Sequence, residues 1–82
     1  MDSNGRTKLR TFMDELLRER DDATGFSDSE SLFASGRLES LAAVQLVAFL
    51  EQEFRIDFSN IDFETDRIDS IDLIATLCDE AR

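Results

Sequence analysis

Leu9, Phe12, Met13, Leu16 and Leu17 repeat at i, i+3, i+4, i+7 and i+8, the spacing that gathers apolar side chains on one face of an α-helix. A second apolar stretch keeps helical spacing through Leu41, Val44, Val47, Leu50 and Phe54, with Leu46 and Phe49 widening the stripe. The two-residue alternation of half-buried strands is nearly absent, and no proline interrupts the chain. Together these features predict an all-α fold: a small helical bundle of three main helices plus one short helical turn, with a long first loop.

The chain has 82 residues, which leaves room for one core. Residues 1–5 read as a short disordered tail and 6–82 as a single domain. The first helix is expected from about Arg6 to Arg20. Asp21 to Glu39 is rich in Ser and Asp and holds Gly25 and Gly36, residues that form turns and compete with helical hydrogen bonds. A loop this long is uncommon in a small domain and is usually functional or disordered. Phe26, Leu32, Phe33 and Leu38 supply apolar anchors, so it is expected to lie ordered across the helices. The second helix should run from about Ser40 to Phe54, followed by an extended turn at Ile56-Asp57-Phe58. Ile61, Phe63 and Ile68 suggest a short helical turn. A last helix begins near Ser70, with Asp72 in its first turn and Ile71, Leu73, Ile74, Leu77 and Cys78 as its apolar face.

Several chemistries are excluded. There is no histidine, which removes the commonest general base and metal ligand and every Ser-His-Asp arrangement. The single cysteine, Cys78, rules out an internal disulfide and reads as a buried structural thiol. A calcium loop over Asp57–Ile68 would need glycine at its sixth position and a bidentate acid at its twelfth, where the chain has Asp62 and Ile68. No signal-peptide h-region is present, and no apolar run approaches the ~20 residues of a membrane span. A cytoplasmic monomer is expected. Residues 1–20 are nearly balanced in charge, whereas residues 21–82 hold 15 acids against four arginines. That excess repels nucleic-acid phosphates and anionic lipid, and favours encounter with basic protein surfaces.

The junction Gly36-Arg37-Leu38-Glu39-Ser40-Leu41 joins the polar loop to the apolar second helix. A serine there admits two readings. One is an ordinary N-cap, a position that favours serine. The other is an attachment point for a phosphate-linked group, since helix N-termini carry unpaired N–H groups and a favourable dipole for anions.

Gly-x-x-acid-Ser-Leu opening an apolar helix, after a helix and a long loop, resembles the acyl carrier protein family. After its serine the family has Leu, two variable positions, Val, an acid, Leu and Val, and further on Leu-Glu-x-Glu-Phe. This chain reads Leu41-Ala42-Ala43-Val44-Gln45-Leu46-Val47 and then Leu50-Glu51-Gln52-Glu53-Phe54. The likeness extends over nearly the whole chain from about Thr7. The run Leu32-Phe33-x-x-Gly36-x-Leu38-acid-Ser40 also resembles the D-alanyl and aminoacyl carrier branch.

The resemblance implies a carrier without catalytic residues of its own. Ser40 would bear 4′-phosphopantetheine, flanked by Glu39 and Leu41 and installed by a phosphopantetheinyl transferase from coenzyme A with Mg²⁺. The arm would hold a fatty acyl, polyketide or aminoacyl group as a thioester. Its partners would be an acyl- or aminoacyl-activating ligase and a downstream acyltransferase or synthase. Glu39, Leu41, Ala42, Gln45, Glu51 and Glu53 would face those partners. Three positions depart from the family pattern: Glu39 replaces the usual Asp, Ala42 an acid or polar residue, and Gln45 the common Glu. They suggest a specialised carrier whose partners are chosen more by shape and apolar contact. The alternative is an unmodified module of the same fold that binds basic protein surfaces.

Overall fold

The computed structural model describes residues 1–58 and 65–80. It is all-helical: α1 (Ser3–Arg18), α2 (Ser40–Phe54), a 3-10 turn (Thr65–Ile68) and α3 (Ile71–Glu80), with no strand among the described residues. The expected positions of Ile61 and Phe63 in a helical turn lie outside the described residues.

α1 starts three residues before the expected Arg6, so Ser3, Asn4 and Gly5 belong to the helix rather than to a tail. The reason is a cap. Asp2 is extended, and its carboxylate accepts the Gly5 N–H at 2.8 Å, satisfying one of the helix's orphan donors. Gly5 is buried at a close approach, where an added Cβ would lie 3.1 Å from the Phe54 ring at the end of α2. At the other end, Asp21 takes a left-handed conformation, φ 58°. Its N–H bonds to the Arg18 carbonyl at 3.0 Å, and the Asp22 N–H reaches the Leu17 carbonyl at 2.9 Å. This is the paired closure of a Schellman motif, and it turns the chain into the loop.

Leu9, Met13, Leu16 and Leu17 of α1 are buried as expected, against Ile71, Ile74, Leu77 and Cys78 of α3 and Leu46 and Leu50 of α2 in one core. Leu73, expected on the inner face of α3, is instead exposed. Phe12 stacks on Phe49 with ring centroids 4.2 Å apart, an offset pair that closes the α1–α2 seam. Ser70 is buried at the start of α3, and its hydroxyl accepts the Leu73 N–H at 3.1 Å.

α2 has the expected limits but a different rotation. Ala42, Leu46 and Leu50 form its buried line, while Leu41 and Val44 are 61% and 67% exposed. Apolar residues surround most of this helix, so periodicity alone does not single out the face that meets the core. α2 ends at Arg55, an exposed non-glycine residue with φ 54°. A side chain is strained there, and glycine is the usual occupant. Arg55→Gly is expected to raise stability by about 0.5–1 kcal/mol, read as a higher thermal midpoint by circular dichroism.

Candidate functional site

Asp69 fastens the long loop to the bundle and Arg37 ties the loop to itself, while Asp28 pairs with Arg6 and Arg10 of α1. Asp69, just before α3, binds the segment leading to α2. Its carboxylate accepts the Phe33 N–H at 2.6 Å, the Ala34 N–H at 3.0 Å and the Ser31 hydroxyl at 2.6 Å. Its own carbonyl accepts the Leu32 N–H at 2.8 Å. Leu32 and Leu38 are buried beneath this segment, and Phe26 and Phe33 are partly buried, as their apolar character predicts. Arg37 is the second clamp. Its guanidinium donates to both Asp22 oxygens, at 2.9 and 3.0 Å, to Glu30, to the Thr24 hydroxyl at 2.9 Å and to the Gly25 carbonyl at 2.8 Å. Sequence reasoning missed both. A signal for Arg37 was available: it is the one basic residue in a 21–39 loop with five acids.

Both clamps depend on ionised carboxylates. Hydrogen bonds from Arg37, then from Thr24, hold the Asp22 carboxyl well below the ordinary carboxylate range. Partial burial pushes Asp69 upward, but hydrogen bonds from Ser31, Ala34, Phe33 and Leu32 outweigh it and leave its pKa lowered. Since both folded values lie below their unfolded ones, the stabilisation is complete above about pH 4 and is lost as pH falls further. Limited proteolysis with an acid-active protease is expected to cut within residues 21–39 more readily at pH 2 than at pH 4.

These clamps deliver the chain to the start of α2. Glu39 occupies the N-cap position, extended at φ −121° and ψ −179°, and makes no side-chain capping bond. Ser40 is therefore the first helical residue rather than the cap. It is exposed, and no group among the described residues hydrogen-bonds its hydroxyl. Leu41 projects beside it, largely exposed. Gln45 is exposed as well. Ala42 is fully buried and has no surface to offer a partner, which corrects its expected place among the partner contacts.

Glu51 and Glu53 are exposed, but they lie roughly 16–20 Å along the helix from Ser40 at 1.5 Å per residue. Glu53 faces Lys8 of α1, 3.8 Å away. Glu51 closes a shallow apolar groove on α2 lined by Ala43, Val44, Val47 and Ala48. Three-, four- and seven-residue steps from Ser40 run along that groove, so serine and groove share one face of the helix.

On the loop side of Ser40, Arg20, Asp22, Gly36, Arg37 and Glu39 line a cleft of about 350 Å³. The Arg20 Nη2 lies 3.4 Å from Glu39 Oε1, and its Nη1 donates to the Leu16 carbonyl at 2.9 Å. Among the described residues, no three His, Cys, Asp or Glu side chains gather as a metal site; half of the acidic 57–68 segment lies outside them. Cys78 is buried. No helix of the described residues is long and apolar enough to cross a membrane. Compared with family models, curated proteins and solved structures, the chain matches none of them.

Proposed function

We propose that this chain is a carrier protein modified at Ser40 with 4′-phosphopantetheine, working without catalytic residues of its own. The observation that carries the reading is the state of that serine: exposed, at the first turn of α2, with its hydroxyl uncommitted to capping or to any described neighbour. A structural N-cap serine would spend its oxygen on the N–H two or three residues ahead.

The residues fit the group. In the transfer the Ser40 Oγ attacks the phosphorus of coenzyme A that bears the pantetheine. An O–P bond forms, adenosine 3′,5′-bisphosphate leaves, and the transferase takes the hydroxyl proton. The product phosphodiester sits at a helix N-terminus, where unpaired N–H groups and the helix dipole favour an anion. When attached, the group supplies a terminal thiol on which acyl or aminoacyl cargo is carried as a thioester. Glu39, exposed beside the serine, offers a carboxylate to the transferase and its Mg²⁺. Leu41, Val44 and the groove down to Glu51 present partner enzymes with a surface that is apolar along its length and acidic at both ends.

Co-expression with a broad-range phosphopantetheinyl transferase tests this by intact mass. The wild-type chain is expected to gain the phosphopantetheine mass and Ser40→Ala to gain nothing. The thermal midpoints of the two unmodified chains should agree within about 4 °C, because an exposed, uncommitted hydroxyl contributes under ~0.5 kcal/mol. The second reading, an unmodified module that binds basic surfaces, is favoured by the acid excess of residues 21–82. It predicts that Ser40→Ala retains every partner the wild type binds.

A further inference from the structure

A phosphodiester on Ser40 adds a negative charge next to Glu39, in a part of the chain where acids already far outnumber bases. Two guanidinium groups line the neighbouring cleft, and they are in different states. Arg37 is saturated: Nε, Nη1 and Nη2 all donate to loop oxygens, and the loop depends on them. Arg20 is not. One of its terminal nitrogens is anchored on the Leu16 carbonyl, the other rests 3.4 Å from a Glu39 oxygen, and its Nε is buried with no partner among the described residues. A buried donor without an acceptor is costly and uncommon, so a ligand oxygen that supplies one is favoured there.

Glu39 is the anion nearest Arg20 at the cleft. Its carboxylate is mostly exposed and only just within reach of Arg20. An aspartate, one methylene shorter, would stop short of that contact. Glu39 thus stands as a placeholder anion beside Arg20 at the edge of the cleft.

Resting on the carrier reading, we propose that Arg20 is the positioning residue for the Ser40 phosphodiester. Its Nη2–H leaves Glu39 and, together with the unpartnered Nε–H turned outward, takes phosphodiester oxygens, the planar fork pairing that guanidinium makes with phosphate. The first segment of the arm is then held against the protein surface, while the remainder stays free to reach a partner's active site.

The test uses the full chain with ¹⁵N-labelled arginine, modified by a broad-range transferase and coenzyme A, with completeness checked by intact mass. On modification the Arg20 Nε–H resonance is expected to shift and its exchange with water to slow, while the Arg37 resonance stays in place. In Arg20→Gln the modified chain should melt several degrees below its own unmodified form, against a difference of about 1 °C in wild type. Arg20→Lys, which keeps the charge without the fork, should recover part of that gap. Complete modification with an unmoved Arg20 resonance overturns this proposal and leaves the carrier reading intact. So does an Arg20→Gln chain whose two forms differ no more than those of wild type. If Arg20→Gln does not fold, the wild-type resonance decides. Failure of several transferases to modify wild type removes the carrier reading, and this proposal with it.

Discussion

Asp69→Ala is expected to destabilise the chain by about 3 kcal/mol and to release the Ser31 hydroxyl and the Phe33 and Ala34 N–H groups. The estimate follows from what the carboxylate holds: two backbone N–H groups and one hydroxyl, all at 3.0 Å or less. Hydrogen bonds to a charged acceptor contribute about 1.5–3 kcal/mol each in favourable cases, and solvent recovers part of that loss for half-buried groups. The effect is larger than a surface change because these bonds close a contact between distant parts of the sequence. They tie the loop before α2 to the turn before α3, beside a Leu32 N–H bond to the Asp69 backbone carbonyl that the substitution leaves in place. Amide exchange is the measurement. Phe33 and Ala34 should lose protection in Asp69→Ala, while Leu46 and Ile74 in the core weaken only by the global loss. Asp69→Asn, which retains an acceptor of similar shape, should lose less. If Phe33 and Ala34 exchanged equally fast in wild type, the clamp would not be as described.

Leu46→Ala is expected to cost 2–5 kcal/mol, the range for removing a buried leucine side chain. Leu46 is 0% exposed and belongs to the one core cluster. A chain of 82 residues has a stability on the order of 4–12 kcal/mol, so this one substitution consumes much of it. Leu41→Ala, five residues earlier on the same helix, should change stability by less than about 0.5 kcal/mol, because Leu41 stands in solvent. The contrast tests the rotation of α2. Equal losses, or a larger loss at Leu41, would mean that α2 turns the face expected from its sequence inward. Urea unfolding followed by circular dichroism gives both values on one scale, and a chain without Trp or Tyr calls for that backbone signal.

The fold class was legible because α1 and α3 are amphipathic in a simple way. Leu9, Met13, Leu16 and Leu17 occupy one stripe and polar residues the rest, so the inner face could be read directly. α2 was legible in extent and illegible in orientation. Its start follows a loop of turn formers and its end precedes a left-handed residue, but Leu41, Val44, Leu46, Val47, Phe49 and Leu50 surround the axis. Only the partners on α1, α3 and the loop decide that Ala42, Leu46 and Leu50 go inside. The early start of α1 was hidden by Gly5, which ordinarily weakens a helix and here permits a close approach to Phe54. Asp69 could not be read at all as a clamp. It binds residues more than thirty positions away, and nothing in its immediate neighbours marks that contact.

The candidate site divides in the same manner. Ser40 and its exposed neighbours are local features, readable from Gly36-x-x-acid-Ser-Leu at the mouth of an apolar helix. Whether the serine caps the helix or stands free depends on one residue of register. Glu39 at the N-cap position resolves it in favour of a free hydroxyl. The Arg20–Glu39 contact joins the end of α1 to the start of α2 across the whole loop, and it emerges only when the loop is folded.

Tandem mass spectrometry after treatment with coenzyme A, Mg²⁺ and each of several phosphopantetheinyl transferases locates any attached group on the chain. A single phosphopantetheine group is expected, carried on the peptide containing Ser40 and assigned by fragmentation to that residue. An unmodified chain with every transferase, or a group on Ser27, Ser29, Ser31 or Ser35 instead, would contradict attachment at Ser40.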